Sequence, residues 1–238
     1  MTESIQYLPF DSELFGFKVG RLNPGQLAKT DLTELLSEAK KAGFKVLYWN
    51  TTEDKQSSAV EAGGFLADRK RTYVRDTTSF GYFDLLGNWF ISSYKEDSSN
   101  ADLIELAYGS GKHSRFLKDP KFGRANFEKL YALWMEKSVS REIANEVLYI
   151  EDFGKIRAML TLGVKNNRPD IGLVATSESY RGRGMAGDLI KSSIVWGINR
   201  GYKEVQVVTQ GENKGACALY ESYGYKLESE EFVFHFWL

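Results

Sequence analysis

Residues 171–186 read IGLVATSESYRGRGMA. An apolar stretch carrying Ile171, Leu173 and Ala175 runs straight into a turn, Ser179-Tyr180-Arg181-Gly182-Arg183-Gly184. A helix follows, its inner face marked by Ala186, Leu189, Ile190, Ser193, Ile194 and Gly197. The first amides of a helix have no intrahelical acceptor, and the aligned peptide dipoles place partial positive charge beside them. Glycine lets the backbone come close to a ligand and adopt conformations other residues avoid. A strand–turn–helix of this composition is therefore an anion site suited to phosphate. Arg181 and Arg183 add two full charges and further donors. The turn lacks the Gly-Lys-Ser/Thr ending of a P-loop. It also lacks the G-x-G-x-x-G spacing and parallel βαβ start of a dinucleotide fold.

Working outward, Ile156, Ala158, Leu160, Leu162 and Val164 alternate with Arg157, Met159, Thr161, Gly163 and Lys165. This period of two predicts a strand with one buried face. Asn166-Asn167-Arg168-Pro169 turns the chain, so the strand entering the glycine turn is the second arm of an antiparallel hairpin. Downstream, Val205–Thr209 reads as a strand, Ala216–Ser222 as a helix stopped near Gly224, and Tyr225–Leu238 as the closing strands. Upstream, Phe127, Leu130, Tyr131 and Trp134 fall at helical spacing, and Asp102–Ala107 is a short apolar helical piece. Residues 109–125, rich in Gly, Ser, Lys and Pro, read as a loop.

The first third predicts a strand from Phe15 to Leu22, ended by Asn23-Pro24-Gly25, and a helix from Asp31 to Ala42 before Gly43. A strand over Lys45–Asn50, a helix over Lys55–Ala62 and a strand over Phe65–Arg75 follow. Gly43-Phe44-Lys45 leads through strand and helix to Gly64-Phe65, and Gly201-Tyr202-Lys203 does the same to Gly224-Tyr225. The N-terminal part thus echoes the C-terminal half without its glycine turn. A domain over 1–78 and a second over 79–238 are expected, with the linker at 77–100 unassigned.

The 238 residues are 42% hydrophobic and 26% charged with a net charge of -1, which is ordinary for a globular protein. Interspersed charges give no footprint for nucleic acid. The lone Cys217 excludes an internal disulfide, and two histidines without ligand spacing argue against a bound metal. No secretory signal or apolar stretch of roughly 20 residues is visible, so no membrane span and a cytoplasmic location are expected.

Arg181-Gly182-Arg183-Gly184-Met185-Ala186 fits R-x-x-G-x-A. With the hairpin before it and the segment NKGACALYESYGY after it, the chain resembles the GNAT acyltransferase superfamily. The resemblance implies an α/β (α+β) GNAT fold, a mixed, mostly antiparallel sheet flanked by helices. The smaller N-terminal domain would resemble half a GNAT core. It implies acetyl-CoA as co-substrate, its pyrophosphate on the backbone of Arg181, Gly182, Arg183, Gly184, Met185 and Ala186, and its pantetheine arm along Leu173, Val174 and Ala175. Asn213 would bind the cofactor, and Tyr220 would protonate the departing thiolate. Read without the resemblance, Asn213 is a helix N-cap, Tyr220 a core aromatic and Cys217 a small packing residue.

The segment FDSELFGF (10–17), His113-Ser114-Arg115-Phe116 and the Phe127-Tyr131-Trp134 helix are similar to the dTDP-4-amino-4,6-dideoxy-sugar (dTDP-fucosamine) N-acetyltransferases. That likeness implies a nucleotide-sugar amine as acceptor. Arg115, with Lys112 and Lys118 in the same loop, is the candidate for its phosphates. The base is left open between Glu151, Asp152 and Glu178, and the oligomeric state between monomer and homodimer. Two other readings are an acyltransferase for protein, peptide or small-molecule amines, and a CoA-binding module without turnover.

Overall fold

The computed structural model describes residues 4–23, 32–79, 81, 87–96 and 99–238. The chain opens with β1 (Ile5–Tyr7), α1 (Pro9–Phe15) and β2 (Val19–Leu22), followed by α2 (Leu32–Lys41), β3 (Val46–Thr51), α3 (Gln56–Glu61) and β4 (Phe65–Asp76). The two-residue β5 (Ser92–Ser93) precedes three helices, α4 (Ala101–Ser110), α5 (Arg115–Lys118) and α6 (Gly123–Val139). Strands β6 (Glu146–Asp152), β7 (Lys155–Lys165) and β8 (Arg168–Thr176) lead through a 3-10 turn, Glu178–Tyr180, to α7 (Met185–Ile198). The chain closes with β9 (Glu204–Gln210), α8 (Lys214–Ser222) and β10 (Lys226–Trp237).

One mixed, mostly antiparallel sheet results, ordered β1-β2-β3-β10-β4-β9-β8-β7-β6-β5. Two pairs are parallel, β2 with β3 and β8 with β9. Around the antiparallel β10–β4 pair the relations read alike in both directions: β3 and β9 flank it antiparallel, and β2 and β8 lie parallel beyond them. The echo in the sequence therefore appears as an exchange. The last strand of each half lies inside the other.

The sheet separates two helical layers. One face carries α1, α4, α5 and α6 over a core that includes Tyr48, Leu103, Phe116, Leu130, Met135 and Met159. On the opposite face α7 and α8 cover Leu160, Ile171 and Val207, while α2 and α3 cover Leu22, Leu47 and Phe234. Among the described residues no helix is long and apolar enough to cross a membrane.

Several sequence expectations change. Phe15 ends α1 instead of starting a strand, because Gly16 adopts φ 73° and closes that helix, so β2 begins only at Val19. The stretch 109–125 contains α5, capped by the Ser114 hydroxyl on the Phe116 amide, and the start of α6. Residues 225–238 form one long strand where more than one was expected. Strand β6 had no counterpart in the sequence reading. Pro24, Gly25 and Asp31 lie outside the described residues.

Phe234 of β10 is fully buried and packs on Trp49 of β3, at 5.5 Å between ring centroids. Phe234→Ala is expected to cost about 3–5 kcal/mol. Urea unfolding followed by tryptophan fluorescence checks it, and both halves should unfold in one transition.

Candidate active site

β8 and β9 hydrogen-bond side by side only at Asp170–Gln206 and Ile171–Val207, then part. The register of β7 against β8 jumps between Leu160 and Leu162, which makes a bulge at Gly172-Leu173. Thr161 fills it: its hydroxyl accepts from the Leu173 amide at 2.8 Å. A Cβ at Gly172 would sit 2.7 Å from that oxygen. The Leu173 amide is therefore spent within the protein. Ser177 donates its amide to Arg157 of β7. By the alternation of an antiparallel ladder, the polar groups of Ala175 face β7 and those of Val174 face the gap toward β9.

Below this gap lies the glycine turn. Gly182 and Gly184 adopt φ 75° and 83°, conformations costly for any side chain, and Gly184 occupies the N-cap of α7. The amides of Tyr180 and Arg181 donate to Ser177 and Glu178. Those two are closed off, which narrows the expected anion cup to Gly182, Arg183, Gly184, Met185 and Ala186. No acceptor for their amides exists among the described residues. These residues, with Val174, Asn213 and Tyr223, line a cavity of about 590 Å³; of them Arg183 alone lies outside the lining. The Arg183 guanidinium lies over the Tyr180 ring at 4.5 Å, and Arg181 reaches toward Glu178. Residues 87–89 strap the start of α7: the Asn88 and Trp89 amides donate to Asp188, and the Trp89 indole donates to the Arg183 carbonyl. Gly187 has no room for a side chain, because a Cβ there would overlap the Tyr223 hydroxyl.

Val174, Asn213 and Ala216 also border a second cavity, about 440 Å³, which contains Tyr220. Asn213 caps α8, its carbonyl oxygen accepting from the Ala216 amide at 3.1 Å. Tyr220 is buried, and burial pushes its phenol above the ordinary value, so it stays protonated at neutral pH. Among the described residues its hydroxyl has no protein hydrogen bond. Cys217 is buried, its thiol beside the Gln210 carbonyl and in reach of the Arg71 guanidinium and the Tyr73 hydroxyl.

The far wall of the second cavity belongs to β4 and α5. The three cations of the 112–118 loop diverge. Lys112 pairs with Glu178 and Lys118 with Glu212, while Arg115 enters the cavity. Arg115 lies over the rings of Tyr48 and Phe116 at 4.0 and 4.4 Å. Its Nη1 donates to His235 Nε2 at 2.9 Å, and since arginine only donates, His235 is neutral with its proton on Nδ1. That Nδ1–H donates to Asp119 at 2.7 Å, and the Trp237 indole donates to the same oxygen at 2.8 Å. Burial, with a further push from Arg115, holds His235 down at about 4 despite its Asp119 partner. Burial alone would raise the Asp119 carboxyl, but its bonds to His235 and Trp237 keep it below the ordinary value.

Asp68 of β4 lines the same cavity as Tyr220 and Arg115, and its carboxylate accepts from the Arg69 amide. Burial pushes its carboxyl up to about 6, against the pull of Arg115 and Lys118. The sequence reading missed it. The expected base candidates lie elsewhere. Glu151 is exposed, Asp152 accepts from the Tyr180 hydroxyl at 2.7 Å, and Glu178 is an exposed partner of Lys112. None of them borders the cavity that holds Tyr220.

Residues 115–225 match the model of the acetyltransferase (GNAT) family. That match spans the segment from α5 to the end of α8, which holds the glycine turn, Asn213 and Tyr220. It is 22% identical over 156 residues to the spore coat polysaccharide biosynthesis protein SpsD of Bacillus subtilis, across 66% of this chain and 54% of that protein. The chain thus spans about half the length of the curated relative it matches. A conserved protein of unknown function from Staphylococcus epidermidis superposes with TM-score 0.62 and 14% identity, over 99% of this chain and 92% of the other. A tandem GNAT protein of the clavulanic acid pathway superposes with TM-score 0.59 and 10% identity, over 92% and 75%. At such identities these two likenesses concern the fold, and both span the N-terminal half as well.

The neutral His235 has a pH signature. Its folded pKa lies below the unfolded value of about 6.5. The unfolded chain therefore binds the extra proton first, and stability present above pH 6.5 drains away as pH falls toward 4. The expected slope is roughly 1 kcal/mol per pH unit. Urea titrations at pH 7, 6 and 5 check it: the wild-type advantage over His235→Gln should shrink as the solution is acidified.

Proposed function

We propose that the protein transfers acetyl from acetyl-CoA to a primary amine, and that the amine belongs to a nucleotide-linked (dTDP) amino sugar. The observation that carries this reading is the joined pair of cavities. One is floored by the free amides of Gly182 to Ala186, and the other holds Tyr220 and Asp68, with Val174 and Asn213 bordering both. The amides and Arg181 take the pyrophosphate of the co-substrate, and its pantetheine arm enters the gap between β8 and β9. The Val174 amide, facing that gap, polarises the thioester carbonyl. Asp68 takes a proton from the acceptor ammonium, directly or through one water. The freed amine attacks the carbonyl, a C–N bond forms, the nitrogen loses its second proton to solvent and the C–S bond breaks. Tyr220, neutral and holding its proton at neutral pH, gives that proton to the leaving sulfur as the bond breaks, and is reprotonated from solvent.

A sugar acceptor draws support from the named role of SpsD in polysaccharide biosynthesis and from the Arg115 guanidinium beside the cavity. Release of CoA thiol is the assay, with dTDP-4-amino-4,6-dideoxy-D-galactose, glucosamine and a lysine peptide as acceptors. The nucleotide sugar should give the highest kcat/KM. A preference for the peptide would defeat the sugar assignment and leave acetyl transfer standing.

Tyr220→Phe is expected to lower kcat at least tenfold with little change in acetyl-CoA affinity, read by steady-state kinetics and calorimetry. Because Asp68 acts as a carboxylate, kcat/KM should rise as pH climbs through about 6. Asp68→Asn should abolish that limb and lower kcat about a hundredfold. A variant that keeps both the limb and the rate would remove Asp68 from the mechanism.

A further inference from the structure

A third cavity, about 900 Å³, opens where β2 and β3 end, and it adjoins the catalytic one: Arg21 and Lys70 line both. Its charged lining is Arg21, Lys55, Lys70 and Lys165 against Glu53 and Glu231. Two of these cations are already matched, Lys55 by Glu53 at 2.6 Å and Lys70 by Glu231 at 3.1 Å. Arg21 and Lys165 form no contact ion pair among the described residues, and act only at longer range on Glu231 and Asp170 respectively. The Arg21 Nε is also buried without a hydrogen-bond acceptor. A buried guanidinium donor left unsatisfied is costly unless a ligand supplies the acceptor.

The position matters as much as the charge. In the sheet Arg21 pairs with Tyr48 of β3, and the Arg115 guanidinium lies over that Tyr48 ring. Lys70 sits two residues beyond Asp68 on the same strand, so their side chains share a face. A ligand whose amine meets Asp68 and whose other end extends over Lys70 comes next to Arg21.

We propose that Arg21 and Lys165, with Lys70 between the two cavities, form an anion subsite for the diphosphate of the acceptor. The assignment rests on the nucleotide-sugar reading above. Two cations without a contact ion pair are available to the two charges of a diphosphate diester. The Arg21 fork supplies paired N–H donors for phosphate oxygens, and Lys165 supplies a mobile point charge at the solvent edge. The subsite fixes which end of the acceptor faces the thioester, so its contribution belongs to acceptor binding and leaves the acyl donor untouched.

The test uses dTDP as inhibitor of the full-length enzyme, with dTDP-4-amino-4,6-dideoxy-D-galactose and glucosamine as alternative acceptors. Wild type should be inhibited by dTDP in competition with the sugar nucleotide. Arg21→Gln/Lys165→Gln should raise the inhibition constant of dTDP and the KM of the sugar nucleotide at least tenfold. The KM for acetyl-CoA should hold. Arg21→Lys alone should fall between. Lys165 is exposed, so the single Lys165→Gln tests the idea without risk to folding and should show a smaller shift of the same sign. Unchanged dTDP inhibition in the double variant would overturn the subsite while leaving the nucleotide-sugar reading intact. Failure of dTDP to inhibit wild type at millimolar concentration would overturn both.

Discussion

The antiparallel pairing of β10 with β4 is the interaction on which the molecule depends. Each strand is the terminal strand of one half, and each is embedded between strands of the other. Two edges that would otherwise expose unpaired amides and carbonyls are thereby closed against each other. The ladder is cross-braced on both faces, by Lys70–Glu231 on one and Arg71–Glu230 on the other. These half-exposed pairs add little stability, but like charges in those positions would oppose the register. The buried row Phe232, Phe234 and Phe236 supplies the larger share, by removing aromatic surface from water.

The exchange also builds the catalytic cavity. β4 enters from the N-terminal half and brings Asp68 and Lys70 beside Gln210 of β9. β10 leaves from the C-terminal half and brings His235 against Tyr48 of β3, where it meets Arg115 and Asp119. Neither half alone contains both Tyr220 and Asp68, which line one cavity. The gap between β8 and β9 is the complementary feature. Two parallel strands that part after two paired positions leave backbone groups unpaired, and an extended ligand can take the place of the missing strand. Thr161 and Gly172 show how finely this is set, since a single hydroxyl satisfies one of those amides and leaves the next facing the gap.

The glycine turn was legible because its signal is local. Gly182 and Gly184 take the left-handed conformations that only glycine adopts easily, and a helix starts directly after them. Asn213 was legible for the same reason, as a capping residue at a fixed offset from its helix. Asp68 carried no such signal. It stands in FLADRKRTYVRD as one acid among alternating charges, and what distinguishes it is a register with β10 and β9 set by residues more than a hundred positions away. Helix α5 was hidden because four residues cannot show a period, and the composition around it is that of a loop. The Arg115–His235–Asp119 chain joins positions 115, 119 and 235, which only the closed sheet brings together.

Desolvation sets the chemistry of the cavity in one consistent direction. It raises the Asp68 carboxyl, raises the Tyr220 phenol and lowers the His235 imidazole, so each group is moved toward its neutral form. Arg115 stands apart, because a guanidinium keeps its proton under any such pressure. Held by His235 and the Tyr48 and Phe116 rings, it is the fixed positive charge against which the others are tuned. It pulls the Asp68 carboxyl down against the push of burial. The neutral histidine behind it orients that charge without adding another, and this follows directly from the burial of His235 on a C-terminal strand held between two strands of the N-terminal half.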